Sequence, residues 1–319
     1  MHAYTEMQFP PGVMAADAIS DPKRVSELVL DAIKKPKFGQ FSTNLAVASL
    51  PESKSFIRVI QIPVMSEKEA ENAVPFEAES FIPLPLDQVY LDWQVLGYKH
   101  DKMDVLIIAA PREYVDSFVS ILENSGLKPA ALEVESQSLH RALIETDTTG
   151  STLLMDLDAY RTSLIMIEEG NLQFTSSIPI AGNTITEAIA RALGVASAKA
   201  ESIKREVGIA NTAEYPNIKT TLLPVLNNLS DEIKNILKFY ASHSDKQVNR
   251  VMLAGGSAKL KNLAEYLQPE LADMPGLQVT LANPYANITG DGVFPIEQFE
   301  ALSYTTAIGL ALRGAGDEF

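Results

Sequence analysis

Cysteine is absent from all 319 residues. Disulfides and thiolate metal sites are therefore excluded, which fits a reducing compartment. The histidines are few and scattered, His2, His100, His140 and His243, and no HExxH pair occurs. Zinc hydrolysis thus has no ligand set in the sequence. Neither GxSxG nor GxxxxGK[ST] is present, so a nucleophile elbow and a Walker-type phosphate loop are excluded as well. No catalytic side chain is expected. Basic clusters are also missing: 26 Lys and Arg stand against 41 Asp and Glu, a net charge of -15. That balance disfavours a nucleic-acid partner, whose phosphates need grouped cations. No apolar run approaches the roughly 20 residues that cross a bilayer. The opening MHAYTEMQFPPG has no basic flank before an apolar core, so a signal peptide is not expected either.

What remains is an ordinary globular mixture, 46% hydrophobic and 21% charged, in a chain long enough for two or more lobes around a cleft. Asp21-Pro22 predicts a helix start, and Val25, Leu28, Val29 and Ile33 give it an apolar stripe. Ser66 and Glu69 have capping-box spacing at the head of a second helix, with Pro75 inside it. Strands are expected at 44–50, 56–62, 89–96, 104–110 and 130–134, with a helix at 111–124. The order strand, helix, strand, strand, helix, strand reads as a small inserted module. Beyond it, 152–157, 162–167 and a third strand ending at Ile180 form an antiparallel series. Helices are expected at 184–193, 198–206, about 220–241, 258–267 and 299–312, and strands at 250–254 and 277–281.

Three segments carry candidate chemistry. In the first, Asp156 ends a strand, Asp158 opens a tight hairpin, and Thr162 places a hydroxyl after it. Such a hairpin can orient hydrated Mg²⁺ and offer backbone N–H groups to phosphate; surface acids on a plain hairpin give the same pattern. In the second, Glu201 and Lys204 share a helix face, suited either to a ribose or to a mutual ion pair. In the third, a strand runs into Gly255, Gly256, Ser257 and Lys259. This turn lets bare backbone approach a ligand, or simply serves packing. Separately, Phe76, Phe81, Ile82 and Leu84, beside Tyr90 and Trp93, gather apolar side chains around a proline-interrupted helix end. They make either the core of the small module or a groove for an extended peptide.

The acidic hairpin, a Gly182-Asn183-x-Ile185-Thr186 turn, the Glu201-x-x-Lys204 helix and the Gly255-Gly256-Ser257 turn, in that order, resemble the second half of the actin and sugar-kinase superfamily. Within it the sequence is similar to the PilM family of bacterial type IV pilus assembly proteins, relatives of the cell-division protein FtsA. The likeness extends to Glu77-Ala78-Glu79-x-Phe81-Ile82-Pro83-x-Pro85, Leu91-Asp92, Ser177-Ile178-Pro179, Asn283-Pro284 and Ile308 to Gly314.

The resemblance implies an α/β, actin-like (ribonuclease H-like) two-lobed fold. Lobe 1 would comprise 1–54, 131–150 and 298–319, lacking the family's N-terminal strands, with an inserted FtsA-type 1C subdomain at 55–130. Lobe 2 would comprise 151–182 and 249–297, with an outer subdomain at 183–248. It implies ATP and Mg²⁺ as cofactors: Asp156 orients the metal through water, Glu201 and Lys204 meet the ribose, and Asp158, Thr162, Gly182, Gly255, Gly256, Ser257 and Lys259 line the nucleotide. It further implies a cytoplasmic scaffold at the inner-membrane pilus platform that binds the N-terminal tail of a PilN-like protein. Other platform proteins are further partners, and homo-oligomers are left open. The chain departs from the family in having no first phosphate hairpin and in carrying Asp158 where glycine is usual, so weak ATP binding and at most a weak ATPase are expected. The alternatives are an FtsA-type filament or secretion-platform scaffold, or a small-molecule kinase, which needs both hairpins. The segment Arg313 to Phe319 is short and acidic, unsuited to anionic lipid.

Overall fold

A computed structural model describes residues 2–10, 12–15, 18–244, 246–288 and 294–316. They form two compact units, one of Met1–Arg141, Ile288–Glu297 and Thr306–Phe319, the other of Ala142–Asn287 and Gln298–Thr305. Residues 317–319 of the acidic tail lie outside the described residues.

The first unit runs β1 (Ala3–Tyr4), β2 (Met14–Ala15), β3 (Ala18–Ile19), α1 (Pro22–Lys34), β4 (Phe38–Gly39), β5 (Leu45–Leu50), β6 (Phe56–Pro63), α2 (Glu67–Ala78), β7 (Val89–Lys99), β8 (Lys102–Pro111), α3 (Arg112–Asn124), β9 (Lys128–Val134) and α4 (Glu135–Leu143). Local chemistry starts both early helices. The Asp21 carboxylate accepts from Arg24 N at 3.0 Å, and Ser66 and Glu69 close the expected capping box. Pro75 is accommodated inside a continuous α2.

Strands β6, β8 and β7 form an antiparallel sheet in that order. Its core is Ile60, Ile62, Val105 and Ile107 with Ala70, Val74, Ala78 and Ile82. The last strand of the expected module belongs elsewhere: β9 pairs in parallel with β5. Helix α3 likewise ties to α1, since Ser26 Oγ donates to Ile121 O at 3.2 Å and Ser125 Oγ to Ser26 O at 3.1 Å.

The second unit follows with β10 (Ser151–Leu157), β11 (Thr162–Glu168), β12 (Asn171–Ile178), α5 (Gly182–Leu193), α6 (Ser197–Val207), α7 (Ile218–Ala241), β13 (Val248–Ala254), α8 (Leu263–Glu270), β14 (Gln278–Leu281) and α9 (Gln298–Ala301). The chain then forms α10 (Thr305–Gly316). Within this unit the strand order is β14, β13, β10, β11, β12. Strand β10 is parallel to β13 and antiparallel to β11, and every one of its residues is buried. A central strand covered on both faces reads as such a continuous run. Leu153, Met155, Leu164 and Met166 pack with Ile185 and Ile189 of α5, Ile203 of α6 and Leu222, Leu226 and Ile233 of α7.

Two expected helices are corrected. The segment 258–267 is not one helix: a 3₁₀ turn at Gly256–Lys259 gives way to α8 after Asn262, whose φ of 66° is left-handed and breaks the ladder. The segment 299–312 is likewise interrupted by a 3₁₀ turn at Leu302–Tyr304, between α9 and α10. Helix α4 was not expected at all. It begins directly at the end of β9, and Ser136 N donates to the Glu52 carboxylate at 3.2 Å, a cap from 84 residues away. No helix of the described residues is long and apolar enough to cross a membrane.

In the first unit a buried carboxylate holds two guanidinium groups. Glu133 of β9, with a side chain 1% exposed, receives Arg141 at 2.6 and 2.8 Å and Arg313 at 2.7 Å. Arg141 also donates to Gly309 O at 3.1 Å, so β9, α4 and α10 are joined through one cluster. Glu133→Gln strands two cations at one neutral group. The expected loss is about 3 kcal/mol of unfolding free energy, read as a lower urea midpoint at unchanged slope. An unchanged midpoint would show that solvent replaces the carboxylate.

Candidate functional site

The sequence-predicted hairpin, Gly182 turn and Gly255 turn converge within the second unit. Asp158 N donates to Arg161 O at 3.1 Å and closes the β10–β11 hairpin. The Asp158 carbonyl then accepts twice, from Gly182 N at 2.9 Å and from Ser257 Oγ at 3.0 Å. Asn183 N donates to Ala159 O at 2.8 Å. Hairpin, α5 start and β13 exit therefore meet at essentially one backbone atom.

Gly255 is sterically required, and a side chain at Gly182 would cost the Ser257 contact. A Cβ at Gly182 would sit 2.2 Å from Ser257 Oγ and 3.3 Å from Lys204 Nζ. Gly255 has φ +85°, and a Cβ there would lie 2.5 Å from Asp156 Oδ1. Asp156 is accordingly sealed beneath this turn and only 3% exposed, so a cation could feel it only through intervening water or at some remove.

Glu201 and Lys204, on α6, are 2.7 Å apart. Lys204 also donates to Gly182 O at 3.1 Å, which carries its long stem into the cluster. Two residues given no site role from sequence, Thr186 of the Gly182 turn and Arg205, complete the arrangement. Thr186 Oγ1 lies 2.6 Å from Glu201 Oε2 and 3.0 Å from Gly182 O, and Arg205 Nε donates to Glu201 Oε1 at 2.8 Å. Thr186 could have been found as the residue one helical turn beyond Gly182. Burial alone raises the Glu201 carboxyl, but donors from Lys204, Thr186 and Arg205 outweigh it and bring the group down to about 2.

Two expected site residues are engaged elsewhere. Thr162 Oγ1 donates to Ile180 O at 2.6 Å and is fully buried; Lys259 pairs with Glu300 at 2.7 Å. Gly256 remains at the surface.

The donor set suits a phosphorylated ligand. Among the described residues the N–H groups of Ala159, Tyr160, Gly256 and Ser257 bond to no backbone carbonyl. Turns with open N–H groups near an ammonium are the kind of donor set that can bind an anion. Glu201, ringed by donors, is suited to accept from hydroxyls. Against this, Asp158 puts a carboxylate on the same exposed hairpin. No group of three or more metal-ligating side chains occurs among the described residues.

The apolar residues of the first unit divide into two sets. Ile82 belongs to the core of the β6–β8–β7 sheet, and Trp93 packs against it. Phe76, Phe81, Leu84 and Tyr90 are exposed. Arg58 lies over the Phe81 ring at 4.9 Å and Arg112 over the Tyr90 ring at 4.3 Å. Tyr90 OH also donates to Asp116 Oδ1 at 3.0 Å.

The profile of the type IV pilus assembly protein PilM matches residues 1–315. The chain belongs to that family. A chain of a solved PilM–PilN type IV pilus biogenesis complex is 27% identical with a TM-score of 0.83, covering 99% of this chain and 92% of that one. An MreB of Spiroplasma citri bound to AMPPNP shares 12% identity at a TM-score of 0.56, over 94% of this chain and 77% of that one. FtsA of Pseudomonas aeruginosa is 26% identical over 199 residues, 56% of this chain and 45% of its own length. The chain spans about half the length of the curated relatives it matches. The fold is the actin-like α/β fold.

The Glu201 carboxyl, depressed in the folded state, contributes stability that is complete above its unfolded value and lost as pH falls towards 2. Glu201→Gln should therefore be less stable than wild type at neutral pH and converge on it between about pH 5 and pH 2. Urea midpoints across that range test this; a constant gap would mean that the carboxylate charge is not what Thr186, Lys204 and Arg205 recognise.

Proposed function

We propose that this chain is an actin-like scaffold of the type IV pilus inner-membrane assembly platform that works from the cytoplasmic side and binds the N-terminal tail of a PilN-like protein. The observation that carries this reading is the likeness, over 99% of the chain, to a chain of a PilM–PilN complex. Other platform proteins are further proposed partners. The docking surface is assigned to the inserted subdomain, residues 55–130, with lobe 1 at 1–54, 131–150 and 298–319, and lobe 2 at 151–182 and 249–297 with its outer part at 183–248.

Four exposed apolar side chains in the docking segment, Phe76, Phe81, Leu84 and Tyr90, support this placement. Pro83-Leu84-Pro85 adds an exposed stretch whose two prolines donate no backbone hydrogen bond, so it stays out of the sheet, while Ile82 before it anchors the segment in the core. Pull-down with a synthetic N-terminal peptide of a PilN-like protein tests the reading. Phe81→Ala should lose the peptide while keeping its melting temperature. Loss of both would make Phe81 a core residue, and a wild-type chain that ignores the peptide would remove the partner.

ATP with Mg²⁺ is the proposed ligand of the second-unit cluster. Lys204 and Glu201 would hold the ribose, the open N–H groups of both turns the phosphates, and Asp156 the metal through water. Bound ATP would supply a hydrolysable phosphate, while the chain supplies binding and orientation. Affinity is expected to be weak, because Asp158 brings like charge to the phosphates and Lys204 must be shared with Glu201. In calorimetry with Mg-ATP, Asp158→Gly should tighten binding, and Lys204→Ala should weaken it by about 1–2 kcal/mol, the worth of a charge-assisted hydrogen bond. Low-micromolar binding by wild type would refute the expected weakness, and indifference to both changes would refute the roles given to Asp158 and Lys204.

A further inference from the structure

We propose that the outward face of α2 around Phe76 receives a cationic segment of the partner, an apolar residue flanked by lysine or arginine. This rests on the reading that residues 55–130 carry the docking surface, and adds the chemistry of what docks. Helix α2 buries Ala70, Val74 and Ala78, four residues apart on one stripe. Phe76 follows Val74 by two positions, about 200° around the helix, and is 74% exposed. Phe81 and Tyr90 each have a guanidinium on the ring. Phe76 has no ring or cation partner among the described residues. A large aromatic held in water on an ordered helix is the kind of anchor that binding sites use.

The charges around it select the sign of the partner. Residues 67 to 79 hold Glu67, Glu69, Glu71, Glu77 and Glu79 against a single Lys68. Glu69 is consumed by the cap with Ser66. The side chains of Glu67, Glu71, Glu77 and Glu79 make no hydrogen bond or ion pair among the described residues. Glu79 stands one turn beyond Phe76 on the same face, and Glu77 adjoins it.

This is also the wrong end of the helix for carboxylates. The C-terminal turn of a helix is electronegative and favours cations, yet α2 has no basic residue in its last turn. Pro75 in addition has no N–H for the Glu71 carbonyl. An unrelieved negative end beside a bare aromatic is complementary to a lysine- or arginine-bearing apolar peptide. It opposes a second copy of this face, which would bring the same carboxylates together.

The test uses fluorescence anisotropy of the full chain with a short labelled peptide alternating lysine and leucine, and with the same peptide carrying glutamate for lysine. The lysine peptide should bind and the glutamate peptide should not. The pair Glu77→Gln with Glu79→Gln, and separately Phe76→Ala, should each weaken binding about tenfold at unchanged melting temperature. A control pair on α8, Glu265→Gln with Glu270→Gln, should leave it unchanged. A control that weakens binding as much would reduce the effect to the net charge of -15 and overturn the proposal. So would a Phe76→Ala variant that binds normally, or one whose only effect is to dissociate a dimer of the chain. If a PilN-like tail binds and ignores all these changes, the cationic surface is refuted and the docking reading stands. If the lysine peptide behaves as expected and that tail does not bind, the surface stands and the named partner is wrong.

Discussion

The second unit depends on one carbonyl. Asp158 O accepts from Gly182 N and Ser257 Oγ, and so fixes three segments that are distant in sequence. Each is a place where regular structure stops: the end of β10, the start of α5, the exit of β13. Loop ends normally satisfy their polar groups with water and are free to move. Here they satisfy one another. A Cβ at position 182 would overlap Ser257 Oγ in its present rotamer and press on Asp158 O at 3.2 Å. A single glycine thus lets a hairpin, a helix start and a turn share one atom, while the N–H groups of Ala159, Tyr160, Gly256 and Ser257 bond to no backbone carbonyl among the described residues.

The charges around this knot are equally committed. Lys204 is 9% exposed and is held by a carboxylate and a carbonyl. A buried ammonium without such partners would carry a large desolvation cost. Glu201 in turn is held by an ammonium, a guanidinium and a hydroxyl. The set is self-sufficient without a ligand, so any ligand must compete with contacts already made. That is why the same geometry supports both a structural role and weak nucleotide binding, and why the Asp158 side chain bears so strongly on the balance.

Much of this was legible in sequence because the signals are local. Ser66 and Glu69 are three residues apart, so the cap on α2 is written in one turn, and the apolar runs of β10 and β11 need no distant context. The order of the acidic hairpin, the Gly182 turn, Glu201-x-x-Lys204 and Gly255-Gly256-Ser257 marked the cluster. What the sequence could not supply was the atom that joins them, a backbone carbonyl without residue identity. Helix α4 escaped for a similar reason. Its start is capped by Glu52, far away in the chain. Asn262, at φ 66°, broke a helix whose apolar spacing was otherwise continuous. Apolarity also failed to separate Ile82 from Phe81: one is core and the other exposed, because neighbours on a non-helical turn face opposite ways.

The two units solve the same electrostatic problem in the same way. In the second, the half-buried Glu201 of α6 is surrounded by donors from its own chain. In the first, Glu133 is treated likewise, between Arg141 and Arg313, and two exposed rings are covered by Arg58 and Arg112. Of the first unit's four cations in this service, none pairs with Glu77 or Glu79 at the end of α2 among the described residues. A chain with 26 basic residues to 41 acidic ones must leave some carboxylates unpaired, and exposed ones lose little by it in water. Placing two of them on the last turn of one helix, beside an uncovered phenylalanine, is different. It adds helix-dipole repulsion to exposed apolar area at a single spot, and both unfavourable terms vanish together only when an apolar, cationic surface covers it.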